Sequence, residues 1–111
     1  VIFMFEDFYK LYERCEKVEN LEKEINEIVS EWGKLTEKYF SHFPKQEIIR
    51  GLKSMWTLLD EDMGRNSQEE QWNIFVSDLG YYSDRMNINR WCRLQLLLGN
   101  VQSQVYGKAV N

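Results

Sequence analysis

Apolar residues recur every three or four positions through the first third of the chain and define one helical face. The stripe consists of Phe5, Phe8, Tyr12, Cys15, Val18, Leu21, Ile25, Ile28, Trp32, Leu35 and Tyr39. Side chains at this spacing lie above one another on an α-helix. The pattern predicts a first helix over about residues 5–40, roughly 54 Å long at about 1.5 Å per residue. Because a compact domain of this length is roughly 34 Å across, the helix must bend or project from the body.

The register of this stripe slips between Cys15 and Ile25. These residues are ten positions apart, where a regular heptad-type face would have seven or eleven. Asn20 lies within the slip, and asparagine caps a helix better than it continues one. Two structures fit the pattern: one continuous, bent helix, or two helices that meet near Glu19 and Asn20. We expect the continuous, bent helix.

Three shorter stripes follow, each with its own start signal or end signal. The only proline, Pro44, suits the first position of a helix over about 44–63. Ser67 and Glu70 have the spacing of a capping box before a helix over about 68–82. A last helix is predicted over about 89–106.

The predicted helices account for nearly the whole chain. Strand-type alternation is almost absent, and 111 residues are enough for one core. The sequence therefore predicts a single all-α domain over 1–111, a bundle of four main helices with a long first helix. Each predicted helix contains one tryptophan, and we expect these four residues mainly in the core: Trp32, Trp56, Trp72 and Trp91.

The charge of the chain changes sign along its length. Residues 1–40 carry a net charge of −4, residues 41–80 carry −3 and residues 81–111 carry +3. Antiparallel packing of acidic and basic helices explains such a gradient, and so does a basic face for an anionic partner. Asp60, Glu61 and Asp62 oppose the dipole near the end of the second predicted helix. An early helix end at Leu59 with an acidic turn would relieve this, and a docking site for a basic partner is the alternative.

The sequence predicts no catalytic, cofactor or metal site. His42 is the only histidine, and it lies in an interhelical turn without the neighbours of a catalytic triad. Cys15 and Cys92 are too few for a zinc site, and we interpret both as reduced, structural thiols. Glu24, Glu27 and Glu31 share one helix side, but no second acidic pair completes a magnesium site. We therefore expect a chain that is not an enzyme.

Nothing in the sequence indicates a membrane protein. No apolar run has the length of a membrane span. The apolar start Val1–Phe5 is too short for the core of a signal peptide and has no basic lead. We expect a cytoplasmic protein.

The combination favours a non-enzymatic protein–protein interaction or assembly module. The expected partner is a second copy, in a homodimer that forms through an apolar, aromatic helix face. The anchors predicted for this interface are Phe3, Phe5, Phe8 and Tyr12, which lie on the part of the long helix that shorter helices would not cover. A few buried aromatic residues usually dominate an interface of this kind.

Two alternatives stay open at this point. The first is a small helical subunit of a nucleoprotein complex, in which Arg85, Arg90 and Arg93 contact RNA or DNA phosphates. The second is an acidic inhibitor that occupies a basic site on another protein. Its surface would be formed by Glu16, Glu19, Glu24, Glu27 and Glu31.

Overall fold

The computed structural model describes the backbone of residues 2–65 and 67–110 and the side chains of residues 6–60 and 67–107. The described residues form five α-helices and no strand, which confirms the predicted all-α class. The helices are α1 (Ile2–Glu16), α2 (Leu21–Phe40), α3 (Lys45–Arg65), α4 (Gln68–Tyr82) and α5 (Ile88–Val110). The prediction of four main helices is wrong, because the region predicted as one long helix contains two.

The helix predicted over 5–40 is interrupted at the register slip, where Asn20 caps α2. Asn20 has an extended backbone (φ −125°, ψ 97°), and its side-chain oxygen accepts a hydrogen bond from the Lys23 amide at 3.3 Å. The cap satisfies one of the free amides at the start of α2, which a continuous helix would have bonded internally. The continuous helix over 5–40 was therefore the wrong choice between the two structures. The alternative, a break near Glu19 and Asn20, is the observed one.

α2 folds back antiparallel to α1, and charged side chains join the two helices at both ends. Arg14 donates hydrogen bonds to Glu27, at 2.6 Å, and to Glu31. At the other end Asp7 accepts hydrogen bonds from the Tyr39 hydroxyl and, at 3.0 Å, from the Lys38 ammonium. These two donors lower the pKa of the Asp7 carboxyl. Because α2 folds back on α1, the two do not form the long projecting helix that the sequence predicted. The molecule measures 41 × 30 × 22 Å.

Four helices form a closed ring, and the fifth lies outside it. α1 packs against α2 and α4, and α5 also packs against α2 and α4, so α1 and α5 are diagonal in the ring. α3 packs mainly against the outer side of α5. As a result α5 is covered on several sides, and none of its residues from 90 to 102 is exposed.

Tryptophans of α2 and α5 fill the centre of this ring. Trp32 contacts the rings of Phe8, Phe75 and Trp91, which lie on α1, α4 and α5. The Trp32 indole donates a hydrogen bond to Gln95 at 2.6 Å, and the Trp91 indole donates one to Thr36 at 2.7 Å. The polar edge of each buried ring is thus bonded across the α2–α5 interface, as a buried indole requires.

The start of α4 follows the sequence prediction, and α3 ends close to the predicted residue 63 without the early end at Leu59. Ser67 caps α4 by accepting a hydrogen bond from the Glu70 amide at 3.2 Å, and its hydroxyl donates to the Glu70 carboxylate at 3.1 Å. α3, however, continues past Leu59 to Arg65, so Asp60, Glu61 and Asp62 lie in a helix and not in an acidic turn. No helix within the described residues is both apolar and long enough to cross a lipid bilayer.

Candidate functional site

α3 lies on the surface of the bundle and packs against α5 through one side. Ile48, Leu52 and Met55 are half-buried on that side, and Leu59 is fully covered. Gly51 faces Cys92 of α5: a Cβ added to Gly51 would lie 2.9 Å from the Cys92 sulfur. The absence of a side chain at Gly51 therefore allows the α3 backbone to approach α5 closely.

A second side of α3 exposes large apolar side chains. Trp56 is 49% exposed and Ile49 is 41% exposed. They are seven residues apart and therefore lie two turns apart on one face, with the half-buried Leu52 between them. Lys45 and Asp60 are exposed one turn beyond the two ends. We call Lys45, Ile49, Leu52, Trp56 and Asp60 the α3 stripe.

Trp56 differs from the other three tryptophans, which the structure places in the core. Trp32, Trp72 and Trp91 are at most 8% exposed. Within the described part of the chain, the Trp56 ring has no aromatic neighbour and its indole has no hydrogen-bond partner. A half-exposed indole leaves a large apolar surface in water, so Trp56 marks a surface that another molecule can cover.

The four residues predicted as interface anchors lie elsewhere, on α1. Phe8 is fully buried among Trp32 and Tyr39 of its own chain, so a partner cannot reach it while the bundle is folded. Tyr12 is half-buried against Gly80 of α4. The side chains of Phe3 and Phe5 lie outside the described residues. A contact between a partner and Phe3 or Phe5 therefore stays a prediction.

The structure brings two of the three predicted nucleic-acid contacts onto tyrosine rings. The Arg85 guanidinium lies 5.0 Å from the Tyr81 ring centre, and that of Arg90 lies 4.4 Å from the Tyr82 ring centre. Arg93 forms an ion pair with Asp78 of α4 at 2.7 Å. Arg85 also pairs with its neighbour Asp84, and this carboxylate raises the pKa of Arg85. Two of the three arginines therefore have a carboxylate close by, which reduces their attraction for phosphate.

We expect that the wild-type protein does not shift single-stranded RNA or DNA at physiological salt. The triple variant Arg85→Gln, Arg90→Gln, Arg93→Gln should lower stability only modestly, because the ion pairs of Arg85 and Arg93 are at least partly open to solvent, and such pairs contribute about 0–1 kcal/mol each. Electrophoretic mobility shift and urea unfolding measure the two effects. A wild-type shift that the triple variant loses, with helicity unchanged, would make nucleic-acid binding the better interpretation.

The acidic side chains of α1 and α2 do not form one free surface. Glu27 and Glu31 both bind Arg14, which neutralises part of this face. Glu16 and Glu19 instead line a groove of about 580 Å³ at the α1–α2 turn, together with Glu69 and Trp72 of α4. The described residues contain no group of three or more His, Cys, Asp or Glu side chains placed to hold a metal ion.

The cysteines lie in the interior, where they have little reactivity. Cys15 is 2% exposed and Cys92 is fully buried, and neither forms a disulfide. Burial raises the pKa of the Cys15 thiol to about 12, so the thiol is protonated at neutral pH and is a poor nucleophile. Burial also raises the pKa of Cys92. His42 lies in the α2–α3 turn beside the ring of Phe43.

Comparison with known proteins gives no match for this chain: no family model, no curated protein and no solved structure is similar to it. Its function therefore has to be inferred from the surface of the bundle itself. On that surface the α3 stripe combines a half-exposed tryptophan, a second apolar side chain and charges at both ends.

Proposed function

We propose that this chain is a non-enzymatic assembly module that self-associates through the α3 stripe. The observation that carries the proposal is the 49% exposure of Trp56, on the same helix face as the 41% exposed Ile49. Tryptophan is among the residues that most often dominate the binding energy of an interface. The proposal keeps the expected homodimer and its apolar, aromatic helix face, but it moves that face from α1 to α3.

The position of α3 supports this role. α3 packs mainly against α5 and lies outside the ring formed by the other four helices. A partner can therefore cover its exposed side without disturbing the core around Trp32. Covering Trp56 and Ile49 removes apolar surface from water, at about 25 cal/mol per Å² before the costs of association.

A second copy of the chain is the partner that the stripe itself favours. Its ends carry opposite charges, Lys45 at one end and Asp60 at the other. In a two-fold symmetric dimer the same patch is used on both copies, so the patch has to be complementary to itself. A stripe with an apolar centre and oppositely charged ends meets this requirement.

The test is sedimentation equilibrium of the wild type and of two glutamate variants on α3. Trp56→Glu should raise the dimer dissociation constant at least about 30-fold, the factor for a loss of about 2 kcal/mol, because the variant removes this anchor from both copies at once. Leu58→Glu is the matched control. Leu58 is 69% exposed on the same helix, but two residues away from Trp56 and therefore on another side. Leu58→Glu should leave the dissociation constant within about threefold of the wild type.

When the chains are monomeric, both variants should change the free energy of unfolding by no more than about 1 kcal/mol, because Trp56 is half-exposed and Leu58 is more exposed still. A wild type that stays monomeric up to about millimolar concentration, where the free energy of association is only about −4 kcal/mol, would refute the proposal. Equal dimerisation of Trp56→Glu and the wild type would also refute it, and would favour an interface at Phe3 and Phe5 instead.

A further inference from the structure

The five residues of the α3 stripe are spaced symmetrically about its centre. When the helix direction is reversed, each charged position meets the opposite charge and each outer apolar position meets the other apolar residue. Ile49 and Trp56 lie on either side of Leu52. Lys45 is four residues before Ile49, and Asp60 is four residues after Trp56. Steps of three and four residues keep all five on one side of the helix. Reversing the helix therefore exchanges Lys45 with Asp60 and Ile49 with Trp56.

The geometry points to an antiparallel pairing of α3 with α3 of a second copy, in which Lys45 lies against the partner's Asp60 and Ile49 against the partner's Trp56. This inference deepens the proposed function and rests on it. In an isologous contact each pair occurs twice, once on each side of the two-fold axis. Leu52 lies next to that axis, and the methylene stem of the neighbouring Lys53 can cover the partner's Leu52.

The charges at the ends favour this orientation over the parallel one. A parallel pairing would place Lys45 against Lys45 and Asp60 against Asp60, and like charges at close range penalise a wrong orientation. The antiparallel pairing turns both contacts into opposite-charge pairs. In coiled coils, charged residues that flank the helix interface determine the relative orientation of the partners in the same way.

The contacts of the described residues give neither charged side chain a role within its own chain. Both side chains are exposed, and within the described part of the chain neither forms an ion pair. Lys45 is the first residue of α3, where the helix dipole disfavours a positive charge. A contact with a carboxylate of a second copy would offset this local cost.

Zero-length carbodiimide coupling provides a direct test on the wild-type protein. The reagent joins a lysine amine to a carboxylate only where the two groups touch. Within one chain Lys45 and Asp60 are 15 residues apart on a helix, roughly 22 Å along its axis, and cannot be joined. We expect a Lys45–Asp60 cross-link in the dimer band. In a mixture of ¹⁵N-labelled and unlabelled protein, pairs with one labelled and one unlabelled peptide should appear beside the fully labelled and fully unlabelled pairs, which shows that the link joins two copies.

Charge reversal provides the second test. Lys45→Asp and Asp60→Lys should each raise the dimer dissociation constant about tenfold at low salt, because each turns two attractive contacts into repulsive ones. The double variant Lys45→Asp, Asp60→Lys should return to within about threefold of the wild type. In about 0.5 M salt the differences between the four proteins should shrink, because exposed charges are screened.

The possible results separate this inference from the proposed function. Dimers that Trp56→Glu disrupts, but that show no Lys45–Asp60 cross-link and no response to charge reversal, would retain the α3 face and overturn the antiparallel register. A wild type without dimers would overturn the proposed function, and the register with it. A cross-link between copies together with rescue in the double variant would establish the register.

Discussion

Trp32→Ala should lower the free energy of unfolding by about 4 kcal/mol, within the range of about 3–5 kcal/mol for removing a large buried aromatic ring. Trp32 is 2% exposed. Its indole contacts one aromatic residue from each of the other three helices that form the four-helix ring. The change leaves a cavity that Phe8, Phe75 and Trp91 cannot fill together, and it removes the hydrogen bond to Gln95. Domains of this size are stable by only about 5–15 kcal/mol, so the loss is a large part of the total.

Urea unfolding followed by circular dichroism measures this effect. The matched control is Trp56→Ala, which removes the same ring from a half-exposed site. At a protein concentration where the chain is monomeric, it should change stability by no more than about 0.5–1 kcal/mol. If Trp32→Ala fails to fold, Trp32→Phe keeps an aromatic ring and remains measurable. Equal effects of Trp32→Ala and Trp56→Ala would show that the ring of four helices is packed differently.

The sequence predicted the helix starts that depend on a local signal. Ser67 and Glu70 form the cap expected from their spacing, and α3 begins at Lys45, one residue after the start predicted at Pro44. Such signals act within one turn, so they can be identified without the rest of the fold. The all-α class follows from the same local information, because the three-and-four spacing runs through nearly the whole chain.

The break between α1 and α2 could not be predicted from the apolar pattern alone. The spacing of ten residues fitted both a bent helix and two helices, and Asn20 is compatible with both. The choice depends on contacts that only the folded chain makes, such as Arg14 with Glu27 and Asp7 with Lys38. These pairs are 13 and 31 residues apart, beyond the range of a local pattern.

Trp56 could not be distinguished from Trp32 by periodicity, because both lie on an apolar stripe of their helix. What separates them is the position of the helix. α2 is part of the ring, whereas α3 lies against the outside of α5 and buries one side only. The apolar residues of α3 cover a wider arc of the helix than the contact with α5 buries. Ile49 and Trp56 lie at the edge of that arc and stay exposed. The width of this apolar arc was the signal in the sequence that some apolar side chains of α3 would stay exposed.

The second large effect is expected at Gly80, where α1 and α4 meet. A Cβ added to Gly80 would lie 2.5 Å from Cε1 and 2.7 Å from Cζ of the Tyr12 ring, closer than carbon atoms can approach. Gly80→Ala should therefore lower the free energy of unfolding by about 1–3 kcal/mol, the usual cost of overpacking. This cost appears despite the gain of about 1 kcal/mol that alanine brings to a helix in place of glycine.

Gly33→Ala in α2 is the matched control, because a Cβ added there has no atom within 4 Å. It should raise stability by about 0.5–1 kcal/mol. In the Tyr12→Ala background, Gly80→Ala should lose its cost and become neutral or stabilising, and a double-mutant cycle measures this coupling. The result also tests the interface prediction for Tyr12. If Gly80→Ala stabilises the wild-type chain as much as Gly33→Ala does, Tyr12 does not pack on α4, and its ring is available to a partner after all.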